Sequence, residues 1–198
     1  IVQEEARGFD AVDLIPDDDV VITLSRRGYM KRTSLANYQQ QHRGGTGISE
    51  LYTSEDDCVQ DFLTTTNHQY LCLFTNKGRM YQLRVYKVPE GSRTAKGVHM
   101  NNLLPLSDGE WVTTVLSVRS FSEEKAFFFV TKNGMVKRSD ATLYARNNKN
   151  GIIAVGLLED DELVLVHPVR EQDEAVLVTY KGYAIRFACS EVRSMGRS

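Results

Sequence analysis

The chain has 198 residues, 41% of them hydrophobic and 25% charged, with a formal net charge of -2. No apolar run approaches the roughly 20 residues needed to span a bilayer, and Ile1-Val2-Gln3-Glu4-Glu5 has neither the basic start nor the apolar stretch of a signal peptide. A membrane or secreted protein is therefore set aside and a cytosolic one expected. Cys58, Cys72 and Cys189 are scattered without a CxxC and read as reduced, half-buried strand residues, while His42, His68, His99 and His167 lie too far apart for a metal site.

Taken in chain order, four segments share one form: an apolar strand, Ser or Thr, two residues, Gly, then a second strand. They are Val20-Val21-Ile22-Thr23-Leu24-Ser25-Arg26-Arg27-Gly28-Tyr29-Met30-Lys31-Arg32, Leu71-Cys72-Leu73-Phe74-Thr75-Asn76-Lys77-Gly78-Arg79-Met80-Tyr81, Phe127-Phe128-Phe129-Val130-Thr131-Lys132-Asn133-Gly134-Met135-Val136-Lys137-Arg138 and Val176-Leu177-Val178-Thr179-Tyr180-Lys181-Gly182-Tyr183-Ala184-Ile185-Arg186. Each reads as a β-hairpin whose turn ends in a left-handed glycine, since β-branched and aromatic runs suit strands and glycine takes positive φ without strain. The turn glycines are 50, 56 and 48 residues apart. A period near 50 with about four strands per unit predicts an all-β, propeller-like array of blades, because a lone hairpin cannot bury its apolar face. A β-sandwich with coincidental turns is the alternative.

After each hairpin comes a basic, glycine-containing loop: Arg43-Gly44-Gly45-Thr46-Gly47-Ile48, Ser92-Arg93-Thr94-Ala95-Lys96-Gly97-Val98 and Arg146-Asn147-Asn148-Lys149-Asn150-Gly151-Ile152. The fourth unit reaches Arg193-Ser194-Met195-Gly196-Arg197-Ser198, so the array reads as cut at its C-terminus.

The small net charge hides a segregation along the chain. Windows 26–47, 77–97, 132–151 and 181–198 hold 20 of the 24 Lys and Arg but three of the 26 acidic residues, a net +17 against -19 for the rest. In a ring of repeats equivalent windows line one rim, giving a continuous basic band suited to a polyphosphate and read without regard to sequence. The residues nominated to meet phosphate are Arg26, Arg27, Lys31, Arg32, Lys77, Arg79, Arg93, Lys96, Lys132, Lys137, Arg138, Arg146, Lys149, Lys181, Arg186, Arg193 and Arg197. A convex band would also bend the duplex, at on the order of 1–6 kcal/mol for 40–90° over 20–30 base pairs. The acids cluster in the connecting segments Asp17-Asp18-Asp19, Glu55-Asp56-Asp57 and Glu159-Asp160-Asp161-Glu162, of which the first and last read as turn residues that repel DNA from the wrong face, ahead of a role as Mg²⁺ ligands. No Walker motif or acidic metal triad is present.

With these residues in view the chain resembles, over its whole length, the C-terminal domain family of DNA gyrase A subunits. The match is carried by Asp18-Asp19-Val20-Val21-Ile22-Thr23 with Gly28-Tyr29-Met30-Lys31-Arg32, by Leu73-Phe74-Thr75-Asn76-Lys77-Gly78-Arg79, by Pro89-Glu90-Gly91-Ser92-Arg93-Thr94-Ala95-Lys96-Gly97, by Asn102-Leu103-Leu104-Pro105-Leu106 and by the loop from Arg146 to Ile152. The resemblance implies a β-pinwheel of about six blades that exchange strands with their neighbours, of which about four are visible in residues 1–198, marked by Gly28, Gly78, Gly134 and Gly182. It implies a DNA-wrapping function within an ATP-driven supercoiling holoenzyme, the partners being the gyrase A cleavage core and the gyrase B subunit in an A2B2 assembly. It further implies that the ATPase and the cleaving tyrosine lie elsewhere, and that the domain itself uses no cofactor, ATP and Mg belonging to the holoenzyme. The family's wrapping box falls on Gln41, His42, Arg43, Gly44, Gly45, Thr46 and Gly47. His42 and Thr46 stand where the family carries permanent cations, so this box is weaker in charge. That departure keeps open the equivalent domain of topoisomerase IV, which binds DNA without strong wrapping. A propeller that binds acidic protein partners is the reading from a different class.

Overall fold

The computed structural model describes residues 11–38, 57–122, 125–146 and 148–197. These are all-β, with strands β1 (Asp19–Ser25), β2 (Tyr29–Ser34), β3 (Val59–Thr66), β4 (Tyr70–Thr75), β5 (Arg79–Arg84), β6 (Val98–His99), β7 (Val112–Val118), β8 (Ala126–Thr131), β9 (Val136–Asp140), β10 (Ile152–Ile153), β11 (Leu163–Val169), β12 (Glu174–Val178) and β13 (Ala184–Ala188), joined by loops and short 3₁₀ turns. The chain divides into two compact units, residues 1–69 with 84–99, and residues 70–83 with 100–198.

All four expected hairpins form, as β1–β2, β4–β5, β8–β9 and β12–β13. The Ser/Thr-x-x-Gly signature has one physical cause at every turn. The glycine amide donates to the carbonyl three residues back, from Gly28 to Ser25 (2.9 Å), Gly78 to Thr75 (2.9 Å), Gly134 to Thr131 (3.0 Å) and Gly182 to Thr179 (2.9 Å). The hydroxyl of that same Ser or Thr accepts from the amide after the glycine, at 3.1 Å from Tyr29, 3.3 Å from Arg79, 3.1 Å from Met135 and 3.1 Å from Tyr183. The four glycines have φ between +72° and +84°, the region an L side chain enters only with strain.

In the first unit the strand order is β3-β1-β2-β6, all antiparallel. Being central, β1 is flanked on both sides and buried from Val20 to Ser25, which is why its sequence is a continuous apolar run rather than an alternating one. In the second unit one sheet runs β10-β5-β4-β7, a second β11-β8-β9, and the last is the bare pair β12-β13. The short strands β6 and β10 show the exchange: each lies beyond the next hairpin in sequence yet pairs with the second strand of the hairpin before it.

The second unit's core joins Cys72, Phe74, Met80, Phe127, Phe129, Tyr144, Leu163 and Val166. Phe74 meets Phe127 and Phe129 edge-on at 5.6 and 5.8 Å, a favoured aromatic geometry. Of the cysteines, only Cys72 is a strand residue, fully buried, its thiol pushed up to about 12 by burial. Cys189 is buried in a 3₁₀ turn and Cys58 is exposed just before β3, so the reading of three half-buried strand cysteines is corrected: all three are free thiols in three different settings.

The acidic segments do not stand apart from the basic turns, as the segregation along the chain led us to expect. Because β3 returns beside β1, Asp57 reaches the first turn, where its Oδ1 accepts from the amides of Arg27 and Cys58 at 3.0 Å each. Asp161 does the same at the third, accepting from Asn133 (3.0 Å) and Glu162 (2.9 Å). At the second turn the buried Glu110 takes over: Thr75 Oγ1 donates to its Oε1 (2.8 Å), and the Ser107 amide and hydroxyl donate to its Oε2 (2.9 Å each). Burial pushes the Glu110 carboxyl up, but these hydrogen bonds and the Arg79 charge outweigh it and hold it below the ordinary glutamate value.

Such a carboxylate contributes stability that is complete above its unfolded value of about 4.3 and is lost as the pH falls through the folded one. Glu110→Ala should therefore destabilise the second unit by about 1–3 kcal/mol at neutral pH. The deficit should shrink as the pH falls below the unfolded value and through the lowered folded one, as read by chemical denaturation over a series of acid pH values. A deficit independent of pH would mean that packing, not the carboxylate, holds this turn.

Candidate nucleic-acid interface

The nominated cations fall into three structural groups. The box residues Gln41, His42, Arg43, Gly44, Gly45, Thr46 and Gly47 lie outside the described residues.

The first group sits at the hairpin turns: Arg26, Arg27, Lys77, Lys132 and Lys181, all exposed. Three of these turns have acids beside them. Lys132 Nζ pairs with Glu162 at 3.1 Å, Lys77 Nζ donates to the backbone carbonyl of Asp108 (2.5 Å) and to Ser107 Oγ (3.3 Å), and the Arg27 amide donates to the Asp57 cap. Of these cations only Lys132 meets a carboxylate in an ion pair among the described residues, while Asp57 and Asp161 bring their charge to the first and third turns through backbone amides.

The second group lies on the second hairpin strands and is turned to internal use. Lys31 is 2% exposed, with Nζ donating to Ser92 O (3.2 Å) and to Arg93 O. Arg32 Nε donates to Val88 O (3.1 Å), Nη1 to Asn67 Oδ1 (2.8 Å), and Nη2 pairs with Glu90 at 3.5 Å. Arg79 donates to Asn150 O and lies over the Tyr81 ring. Lys137 Nζ donates to Arg197 O (2.5 Å), and burial, followed by the Arg197 charge, draws its ammonium below the usual lysine value. Arg138 is half-buried, and the exposed Arg186 pairs with Glu174.

The third group is carried by the exchanged loops. Gly97 and Gly151 have φ of +88° and +70°, and each lies against the preceding hairpin so closely that a Cβ would stand 2.5 Å from Met30 O in one case and 2.9 Å from the Tyr81 ring in the other. Only glycine lets the loop come this near. The loops are thereby pinned along β2 and β5, and they lift their cations outward. Lys96 is exposed with its ammonium 3.9 Å from the Tyr29 ring centroid, Arg93 is half-buried, and Arg146 and Lys149 are exposed with no ion pair to any described residue. The tail repeats the arrangement on β9: Ser194 bridges Arg138 as Glu90 bridges Arg32, leaving Arg193 exposed and Arg197 half-buried.

Sequence reasoning found the cations but missed the turn caps Asp57, Glu110 and Asp161. A signal was there: an acid recurs 29, 32 and 27 residues after successive turn glycines. Among the described residues no cluster of His, Cys, Asp and Glu is placed to hold a metal, and no helix is long and apolar enough to cross a membrane.

The repeats coincide with a known pattern. A family model described as "DNA gyrase C-terminal domain, beta-propeller" matches residues 19–64, 69–119, 126–170 and 173–198, each stretch containing one hairpin. The chain is 62% identical over 197 residues to the A subunit of DNA gyrase from Lawsonia intracellularis, and 42% identical over 197 residues to that from Clostridium acetobutylicum; each match covers 100% of this chain and 24% of the relative. It thus spans about a quarter of the length of the curated relatives it matches. Among solved structures, the C-terminal domain of a DNA topoisomerase IV superposes with a TM-score of 0.76 at 30% identity, over 92% of this chain and 55% of that one. A DNA gyrase A C-terminal domain superposes at 0.69 and 24% identity, over 91% and 58%, a likeness of fold alone. Four blade repeats built on Ser/Thr-x-x-Gly hairpins, each matched in turn by the family model, place the chain in the DNA gyrase C-terminal domain family.

Proposed function

We propose that residues 1–198 form a DNA-binding and DNA-wrapping domain of a gyrase A subunit, indifferent to base sequence, that serves negative supercoiling by the ATP-hydrolysing type II topoisomerase. The observation that carries this reading is the set of exposed cations Lys96, Arg146 and Lys149, presented by loops that glycines pin to the blades, with Arg193 on the tail docked along β9, all free of acidic partners among the described residues. Phosphates neutralised by such cations release counterions, so affinity falls steeply with salt and carries no base preference. In this reading the partners are double-stranded DNA, the gyrase A cleavage core and the gyrase B subunit in an A2B2 holoenzyme in the cytoplasm. The domain supplies no catalytic residue, metal or cofactor, and ATP and Mg act elsewhere in the assembly.

A topoisomerase IV-like role is the second reading, favoured by the closer structural superposition on that domain. The retained Gln41, Arg43, Gly44, Gly45 and Gly47, together with the 62% identity to a gyrase A subunit, weigh the other way. Ligation of nicked circular DNA in the presence of the 198-residue chain separates the two. A wrapping domain shifts the linking number, and Arg43→Ala removes the shift while leaving ordinary binding within a few-fold, because the other loops still hold phosphate. An unshifted topoisomer ladder for the parent chain, with binding intact, would leave only the topoisomerase IV-like role.

A further inference from the structure

We infer that Lys31 and Lys137 are positioning residues: each ammonium holds backbone carbonyls of the loop docked on its strand and so sets where that loop presents Arg93 or Arg197. The inference rests on the DNA-binding reading, and it differs from the expectation that every strand cation meets phosphate.

The two sites lie in different units and share one construction. Both lysines stand three residues after a turn glycine. Lys31 Nζ donates to Ser92 O and Arg93 O, and Lys137 Nζ donates to Arg197 O. Two residues further on, a small hydroxyl repeats the grip, Thr33 Oγ1 on Gly91 O (3.1 Å) and Ser139 Oγ on Gly196 O (3.4 Å). Between them the strand carbonyl takes the loop amide, Gly91 N to Arg32 O and Met195 N to Arg138 O, each at 2.9 Å.

A loop that leaves the ladder has carbonyls with no strand partner, and an ammonium brings three donors in a compact space to meet them. At 2% exposure Lys31 cannot reach a phosphate without first releasing the loop. The second hairpin makes the contrast, since Tyr81 occupies the equivalent place, donates its hydroxyl to Pro105 O (3.2 Å) and has the loop glycine Gly151 close against its ring.

The test compares Lys31→Met, Lys31→Arg and Arg93→Ala, with the Met and Ala changes also combined, in the 198-residue chain. Hydrogen exchange and carbonyl ¹³C shifts read the loop, and DNA titrations across salt read binding. In Lys31→Met the amides of Gly91 and Ala95, which donate to Arg32 O and Ser92 O, should exchange at least about tenfold faster and the Ser92 and Arg93 carbonyl shifts should move, while Ile22 and Leu24 in β1 keep their protection. Arg93→Ala should weaken DNA binding about five- to tenfold in the parent and less than about twofold in the Lys31→Met background, a coupling that a merely structural lysine would not produce. Lys31→Arg keeps the charge but not the compact donor, so it should loosen the loop as well.

A salt slope shallower by about one in Lys31→Met, with Arg93→Ala keeping its full effect, would make Lys31 a direct phosphate contact and overturn the inference. Unchanged exchange at Gly91 and Ala95 would overturn it too. Should Lys31→Met fail to fold, Lys137→Met read at the Arg197 carbonyl decides the matter in the other unit. Absence of DNA binding by the parent chain would end the DNA reading alone, because the exchange and shift measurements still report whether the lysine holds the loop.

Discussion

Replacing Arg93, Lys96, Arg146 and Lys149 together by Ala is expected to cost up to about 10³-fold in DNA affinity near 0.1 M salt and to shallow the salt slope by about 3–4 units. Each phosphate a cation neutralises adds about 0.9 to that slope, and these four are carried by loops whose backbone is held by Gly97 and Gly151 independently of the charges. The fold should therefore survive the change. The companion variant removes Arg26, Arg27, Lys77 and Lys132, the same number of charges from the turns. Its loss should be smaller, under about two units of slope, because Lys132 is already paired with Glu162, the Lys77 ammonium is held on the Asp108 backbone carbonyl, and the Asp57 carboxylate caps the turn that carries Arg26 and Arg27. Equal losses in the two variants, by titration over a range of salt concentrations, would return the turns to the interface and show that the loops hold no special place in it.

Gly97→Ala is expected to be the most damaging single change to the first unit. A residue at φ +88° costs about 1–3 kcal/mol in backbone strain, and the new Cβ would also press on Met30 O at 2.5 Å. That carbonyl belongs to the strand that pairs with Val98, so it cannot yield without opening β6. Gly28→Ala supplies the comparison within the same unit: its φ is +82°, but the nearest atom to a Cβ is the His99 ring at 3.5 Å, an ordinary contact. Gly97→Ala should lose at least about twice as much stability as Gly28→Ala by urea unfolding, with the excess arising from the docked loop. Matching losses would mean that the loop glycine is needed only for its dihedral angles.

The hairpins were legible because Ser/Thr-x-x-Gly is a complete local device, whose hydroxyl, carbonyl and glycine amide all meet within five residues. The exchanged loops were legible as a repeat, and the docking of Gly97 and Gly151 gives that repeat its cause. What the sequence hid is what strand order decides. Charge summed along the chain separates +17 from -19, but the order β3-β1-β2 folds Asp57, just before β3, back onto the turn between β1 and β2. Lys31 was illegible for a related reason: its place in β2 reads as an ordinary polar position until the loop from 60 residues onward covers it. The exposed Val176, Val178 and Ile185 make the converse point, since β12 and β13 carry the same apolar run as β1 without flanking strands to bury it.

The pairing of β2 with β6 has a consequence for synthesis. Tyr29 finds its edge partner in His99, and Arg79 finds its own in Ile153. At about 5–20 residues per second, a ribosome delivers that partner roughly 4–14 s after the hairpin has emerged. Between those moments the chain makes β3, β4 and β5, and the second strand of the finished hairpin waits with its outer amides and carbonyls unpaired, the condition in which nascent β-sheets join the wrong neighbour. A two-residue strand contributes little to the final stability of a sheet, but here it arrives last and closes an edge that has been open throughout. Residues inserted between β2 and β3 would prolong that exposure, so their cost should appear in the yield of soluble protein from the cell before it appears in any equilibrium measurement.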